Sequence, residues 1–220
     1  MLSNKGFDLW ANEYDRSVQL SEESDSYPFA GYKDILNTIY NEAMRHSDSR
    51  ILDLGFGTAV LTSQLYKQGH QIFGVDFSKE MLAIAQEKMP QAILYQADLT
   101  EGVPQNLAEQ AYDTIISTYA LHHLDDQAKV NLIKRLMSML RKNGKLLIGD
   151  VAFETRAKHD ACKLENAHHW DEEEYYFVYE ELQPSLQAFC ASEFYPISHC
   201  GGVIELQKFE AEADVTDKAI

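Results

Sequence analysis

Cysteines, long apolar runs and positive charge are all scarce in this 220-residue sequence. Its three cysteines are too few and too irregularly spaced for a disulfide framework or a zinc site. No apolar run approaches the ~20 residues of a membrane-spanning helix, and residues 1–6 lack the basic and apolar regions that open a signal peptide. These absences predict a cytoplasmic protein with reduced thiols.

The charge balance is strongly acidic. There are 19 Lys and Arg residues against 35 Asp and Glu, which gives a formal net charge of -16. Proteins that bind phosphate backbones gain much of their affinity from basic side chains that neutralise phosphates. The composition therefore argues against nucleic acid and anionic membrane as partners. It does not indicate an oligomeric state.

From residue 50 onward, strand-like apolar runs alternate with helical patterns. Strands are predicted at 51–54, 71–76, 92–95, 113–117 and 145–149, and helices near 59–68, 79–89 and 126–142. This alternation predicts a parallel sheet with helices on both faces. Two helical segments follow, near 155–168 and 171–189, with no strand between them.

The last two predicted strands, 193–199 and 203–207, are separated by only three residues. That gap is too short for a parallel crossover and predicts an antiparallel hairpin. The expected fold is α/β, with a seven-stranded, mostly parallel sheet whose last strand is antiparallel. We expect one domain over residues 1–220, with a helical cap at 1–45, a Rossmann-like core at 46–208 and a flexible tail at 209–220.

A glycine-rich turn between a predicted strand and a predicted helix suits close approach of the backbone to a ligand. Asp53 precedes Gly55 and Gly57 there. A nicotinamide dinucleotide fingerprint would need a small residue at position 60, where this chain has Val60. A carboxylate beside the turn suits an ammonium group better than a pyrophosphate.

Two further carboxylates follow the next two predicted strands. Asp76 lies where a carboxylate can accept hydrogen bonds from both hydroxyls of a ribose, and Asp98 lies where one can accept an N–H of adenine. Three acids at successive strand ends describe a ligand made of an amino acid, a ribose and an adenine, without phosphates.

With these features the sequence resembles the class I methyltransferases that use S-adenosylmethionine (AdoMet), over nearly its whole length. Residues 51–58 (ILDLGFGT) resemble the first motif of that family. Residues 74–81 (GVDFSKEM), 96–99 (QADL) and 112–117 (YDTIIS) resemble the next three. Residues 140–145 resemble the turn before the family's fifth strand, and residues 10–15 (WANEYD) resemble a segment that caps AdoMet in many small-molecule members.

The resemblance implies AdoMet as the cofactor and assigns residues to its parts. Asp53 and the backbone of Gly55 and Gly57 would hold the methionine part, Asp76 the ribose and Asp98 the adenine. The implied cofactor-binding set is completed by Tyr14, Phe77, Met81, Leu99 and Ser117, of which Tyr14 and Ser117 would line the sulfonium end. One departure is Ala59, which stands where the family usually has a third glycine; alanine is a mild replacement there if its φ is negative.

His122 and His123 follow the fourth predicted strand and so belong to the same edge of the sheet. One of them could act as a general base, because the pKa of histidine lies near neutrality. The competing interpretation is that one begins a helix and the other packs. No metal site is predicted: His168 and His169 are adjacent on a predicted helix and would face different sides.

The predicted activity is methyl transfer from AdoMet to a small-molecule acceptor. The sequence after Ser117 lacks the N/D-P-P-Y/F loop of amide and exocyclic amino methylation, and the charge disfavours nucleic acid. Two alternatives stay open: a non-catalytic AdoMet-binding or regulatory protein, and a nicotinamide-dependent oxidoreductase.

Overall fold

The computed structural model of the chain describes residues 26–209. The helices are α1 (Tyr32–Ala43), α2 (Val60–Lys67), α3 (Lys79–Lys88), α4 (Gln105–Ala108), α5 (Asp126–Met139), α6 (Arg156–Glu165) and α7 (Tyr179–Leu186). The strands are β1 (Arg50–Leu54), β2 (Gln71–Asp76), β3 (Ile93–Gln96), β4 (Tyr112–Thr118), β5 (Leu140–Phe153), β6 (Phe177–Val178), β7 (Ala191–Pro196) and β8 (Gly201–Gln207). Short 3₁₀ turns occur at Leu99–Glu101 and Leu121–His123.

Seven strands form the main sheet, in the order β3-β2-β1-β4-β5-β8-β7. The first five are parallel to one another. Strand β8 is antiparallel to both of its neighbours, β5 and β7. The predicted architecture, including the closing hairpin, is thus confirmed. Pro196 pairs with Gly202 at the end of the edge strand β7, a position where its missing N–H is tolerated.

The segment predicted as one helix over 171–189 was wrong in its first half. Two of its residues form β6, which pairs with Ala152 and Phe153 at the end of β5, and helix α7 begins only at Tyr179. The backbone N–H of Tyr175 is bonded to the carbonyl of His122 at 2.7 Å. These tertiary hydrogen bonds compete with the helix and outweigh its local preference.

Successive residues of each central strand point to opposite faces of the sheet, so both faces carry a core. Leu52 and Leu146 belong to the core on the side of α5 and α7. Their neighbours Ile51 and Leu147 belong to the core on the side of α1, α2 and α3. This double burial explains why these strands read as continuous apolar runs in the sequence.

Helix α1 belongs to the region predicted as an N-terminal cap, and it packs on the face of the sheet. Ile35 and Ile39 are fully buried there, over Gly149 in β5. A Cβ atom added at Gly149 would lie 2.8 Å from Cδ1 of Ile39, so the absent side chain lets the helix approach. The first part of the predicted cap, residues 1–25, and most of the predicted tail lie outside the described residues. Within residues 26–209, no helix is both long and apolar enough to cross a membrane.

Candidate active site

The loops after β1, β2, β3 and β4 meet at the carboxyl edge of the sheet, where open α/β sheets bind ligands. They enclose a cavity of about 550 Å³. The predicted residues on its wall are Gly55, Gly57, Asp76, Phe77, Met81, Asp98, Leu99 and His123. The remaining wall residues are Ser78, Thr100, Tyr119, Ala120 and Leu124.

The turn from β1 to α2 needs left-handed backbone at three positions. Gly55 has φ 73°, Gly57 has φ 52° and Ala59 has φ 57°. A side chain at Gly55 would collide with Cβ of Ala120, which follows β4. Glycine at position 55 is therefore required both by its dihedral angle and by the close approach of the next loop.

The condition placed on Ala59, a negative φ, is not met. Ala59 is in the left-handed region at the start of α2, a conformation that costs a non-glycine residue roughly 1–2 kcal/mol. Its methyl group is fully buried in the core on the side of α1. That burial stabilises the fold by about 0.8 kcal/mol and offsets part of this cost. Local sequence carries no signal for the sign of φ at this position.

Asp76 ends β2 and organises the glycine loop. Its Oδ2 accepts the backbone N–H of Gly57 at 2.8 Å, and its Oδ1 accepts the N–H of Ser78 at 2.8 Å. The carboxylate is 5% exposed and lines the cavity. Because Gly57 donates to Asp76, that N–H does not point to a phosphate, as it would in a dinucleotide site.

Asp98 follows β3 and also lines the cavity. Its Oδ1 accepts both the N–H and the hydroxyl of Thr100, at 2.8 and 2.7 Å, which starts the 3₁₀ turn at Leu99–Glu101. These two bonds hold the pKa of Asp98 below its usual value. Asp98 is solvent-accessible, so its carboxylate combines a structural task at the turn with a place on the cavity wall.

Asp53 is the penultimate residue of β1, beside the first turn of α2, and is 2% exposed. Its Oδ2 accepts the hydroxyl hydrogen of Thr62. Among the described residues, its Oδ1 has no hydrogen-bond partner. Burial, against the opposing effect of Thr62 and with the added charge of Asp76, raises the pKa of Asp53 to about 7. A buried carboxylate oxygen without a donor suits a cationic group bound nearby.

The predicted contact from Ser117 is placed differently. The hydroxyl of Ser117 is buried and donates to the carbonyl of Leu54 at 2.8 Å, so it joins β4 to β1 and is not on the cavity wall. Tyr14 lies outside the described residues.

The two candidate histidines occupy different positions. His123 is exposed on the cavity wall, whereas His122 is buried behind it. Nδ1 of His122 lies 2.6 Å from Oδ1 of Asp150, and its Nε2 lies 3.5 Å from Oε1 of Glu174. Desolvation lowers the pKa of His122, but the two carboxylates outweigh it and raise the pKa above its ordinary value.

Sequence reasoning missed the partners of these histidines. Asp150 lies inside β5 and is 1% exposed; Glu174 belongs to the segment predicted as a helix over 171–189. A buried acid in the middle of an apolar strand is the signal that was available for Asp150, because such a group needs a partner. Nothing local in the acidic stretch 171–174 singles out Glu174.

The fold and this edge define an α/β protein that binds its ligand among loops with glycine and acidic side chains. The profile of a methyltransferase-domain family matches residues 51–144. An uncharacterized methyltransferase of Anoxybacillus flavithermus is 36% identical over 159 residues, which cover 72% of each chain. One from a Geobacillus strain is 37% identical over 152 residues, or 68% of each chain.

Solved structures agree on the fold. A magnesium protoporphyrin IX methyltransferase from Synechocystis with bound SAH superposes with a TM-score of 0.66 at 18% identity, over 93% of this chain and 95% of that one. A TehB-like SAM-dependent methyltransferase from Corynebacterium glutamicum gives 0.56 at 18% identity, over 88% and 95%. The chain belongs to the class I, AdoMet-dependent methyltransferase family.

Proposed function

We propose that this protein transfers the methyl group of AdoMet to a small-molecule acceptor in the cytoplasm. The observation that carries the proposal is the set of three carboxylates at the carboxyl ends of three successive strands: Asp53, Asp76 and Asp98. Two of them line the cavity, and the third is buried with an oxygen that lacks a donor among residues 26–209. This arrangement fits a cationic ligand without phosphates.

Each group has a distinct task in holding AdoMet. Asp53 stabilises the ammonium group of the methionine part electrostatically, beside the backbone of Gly55 and Gly57. Asp76 keeps lone pairs for the ribose hydroxyls while its bonds to Gly57 and Ser78 fix it in place. Asp98 accepts from the adenine.

The apolar wall residues complete the cofactor site. Phe77 follows Asp76, Met81 lies in the first turn of α3 and Leu99 follows Asp98. All three line the cavity, where they offer contact surface to the adenine. Phe77 is 72% exposed, an unusual position for a phenylalanine, and a bound planar ring would cover it. This coverage contributes binding free energy through buried apolar area.

AdoMet, when bound, supplies a methyl group on a positively charged sulfur, which a nucleophile can attack in line. The protein's own contribution is alignment of the acceptor and exclusion of water from the cavity. The carboxylates around the site favour the cationic donor. We assign the acceptor to the small molecules because the cavity is small and the chain is strongly acidic. The three described cysteines are buried and form no disulfide, which suits the cytoplasm.

Incubation of the full chain with AdoMet carrying a labelled methyl group and a metabolite panel tests the activity. The expected result is label in a small molecule and the release of S-adenosylhomocysteine. Binding of AdoMet with no transfer to any acceptor would favour the non-catalytic, regulatory alternative. Binding of NADH in place of AdoMet would favour the oxidoreductase and overturn the proposal.

A further inference from the structure

Three side chains with metal-ligating atoms converge beside the cavity: His122, His123 and Glu174. One ligand atom from each lies within 4.8 Å of the other two. Within residues 26–209, this is the one group of three histidine, cysteine or acidic residues with that geometry. Two imidazoles and one carboxylate are a ligand set that binds divalent first-row transition metals, with zinc among them.

Adjacent histidines converge here because they are not on an α-helix. Residues 121–123 form a 3₁₀ turn after β4, and the two imidazole rings have their centroids 4.3 Å apart. The turn is tied to the segment that carries Glu174 by the bond from the N–H of Tyr175 to the carbonyl of His122. The buried ammonium of Lys129 also donates to the carbonyl of Tyr175. These hydrogen bonds fix the backbone that carries the three ligands.

The two innermost ligands are held by further groups. His122 engages Asp150 through Nδ1 at 2.6 Å, which leaves Nε2 on the side of Glu174. Glu174 accepts the hydroxyl of Tyr176 on Oε2 at 2.6 Å, which leaves Oε1 on the side of His122. Metal-binding imidazoles and carboxylates are typically oriented by such outer hydrogen bonds.

The three residues differ in solvent exposure, and the most exposed of them lines the cavity. His122 is buried, Glu174 is intermediate and His123 is exposed. His123 also lines the cavity, next to Leu124 and close to Tyr119 and Ala120. Three protein ligands leave at least one coordination position open, as in catalytic rather than structural zinc sites.

A plain ion pair is the competing explanation for part of this cluster. An imidazolium at His122 between Asp150 and Glu174 would account for two of the contacts. It does not account for the convergence of His123, whose ligand atom lies within 4.8 Å of those of His122 and Glu174. A shared divalent cation satisfies both imidazoles and Glu174 together.

We propose that His122, His123 and Glu174 bind one divalent transition-metal ion, zinc by its ligand preference, at the wall of the cavity. Its open position takes the methyl acceptor, and this role rests on the proposed function. The acceptor is then a hydroxyl or thiol compound, because coordination to a divalent cation eases loss of the proton from such groups.

The acceptor oxygen or sulfur loses its proton to solvent and forms a bond to the methyl carbon. The carbon–sulfur bond of the sulfonium breaks, and its electron pair stays on sulfur as a neutral thioether.

Titration of the chelator-treated full chain with Zn²⁺, followed by calorimetry, tests the site. We expect one Zn²⁺ per chain and no comparable binding of Mg²⁺, which prefers oxygen ligands. His123→Ala and Glu174→Gln should each weaken Zn²⁺ binding at least 100-fold. The matched control is the adjacent, exposed pair His168 and His169; a variant with both changed to alanine should bind Zn²⁺ as the unmodified chain does.

Two further variants separate metal orientation from general stability. Tyr176→Phe and Asp150→Asn remove outer hydrogen bonds and should weaken Zn²⁺ binding about 10- to 100-fold. Circular dichroism checks that each variant is folded. A lower melting temperature with unchanged Zn²⁺ affinity would show that these residues are only structural. Zn²⁺ binding that survives Glu174→Gln, or that disappears with His168 and His169, would overturn the proposal.

The same samples distinguish failure of the metal site from failure of the methyltransferase assignment. Glu174 is not on the cavity wall, so Glu174→Gln should lose Zn²⁺ and keep its affinity for AdoMet. An unmodified chain that binds AdoMet but not Zn²⁺ would contradict the metal site and leave the proposed function standing. A chain that binds Zn²⁺ but not AdoMet would contradict the proposed function and leave the metal site standing.

Discussion

At the scale of single residues, the buried carboxyl of Asp53 lowers the free energy of unfolding when it is ionised. Its carboxyl is buried with one oxygen unpartnered among residues 26–209, and its pKa is raised to about 7 from an ordinary value of 3.8. Because the folded pKa is above the unfolded one, the unfolded chain releases this proton more readily. The group therefore destabilises the fold progressively as pH rises from about 4 to about 7, and fully at pH 8.

Replacement of the charge by an amide should reverse this effect. Asp53→Asn keeps an oxygen for the hydroxyl of Thr62 and removes the need to bury a negative charge. We expect an increase of about 1–3 kcal/mol in the free energy of unfolding at pH 8 and a smaller one at pH 5. Urea unfolding at the two pH values measures it. The control Glu165→Gln, at an exposed position, should change neither; a gain at pH 5 equal to that at pH 8 would contradict the ionisation argument.

In the proposed site, Asp76 is the residue that binds the ribose. In Asp76→Asn only one oxygen remains to accept hydrogen bonds, while Gly57, Ser78 and the ribose all donate. Loss of a charge-assisted bond costs about 1.5–3 kcal/mol, so we expect the dissociation constant for AdoMet to rise about 10- to 100-fold. Calorimetric titration measures it, with Glu165→Gln as the unchanged reference. An unaltered affinity would remove the ribose assignment.

At the scale of elements, the fit of α1 against β5 depends on Gly149. The added Cβ in Gly149→Ala would meet Ile35 and Ile39, so α1 must shift. We expect a loss of about 1–3 kcal/mol in the free energy of unfolding, measured by urea titration. Combination with Ile35→Ala, which removes the nearer of the two colliding groups, should recover part of the loss relative to the sum of the two single changes. Strict additivity would show that the helix and strand are not in this contact.

The sequence predicts well those elements whose signals lie within the element itself, such as a periodic apolar pattern and the residues that end it. The βα alternation and the closing hairpin follow from apolar runs and from the three residues between the last two strands. The segment around β6 was mispredicted because its acidic and aromatic residues resemble a helix start, whereas bonds to His122 and to β5 decide its shape. The left-handed φ of Ala59 is likewise set by the loop's closure on α2 and not by its neighbours in sequence.

The candidate site divides in the same way. Asp53, Asp76, Asp98 and the two glycines were predictable because strand ends of a parallel sheet meet at one edge. Ser117 was assigned to that edge as well, yet its hydroxyl is used within the sheet. The convergence of Glu174 on His122 and His123 joins segments about 50 residues apart, and no single-sequence pattern encodes it.

At the scale of the whole molecule, the acidity of the chain constrains its partners. Because the formal net charge is -16, we expect no binding of duplex DNA or of structured RNA at about 100 mM salt. The chain has too few basic side chains to neutralise the phosphates of a nucleic acid. Fluorescence anisotropy of labelled oligonucleotides measures this. Sub-micromolar binding that weakens with salt would contradict the small-molecule assignment.

We expect the carboxyl edge of this sheet to bind AdoMet rather than a dinucleotide. Calorimetric titration of the full chain with AdoMet and, separately, with NADH measures both affinities. We expect one AdoMet bound per chain and no heat of binding with NADH. Binding of NADH without binding of AdoMet would contradict this assignment.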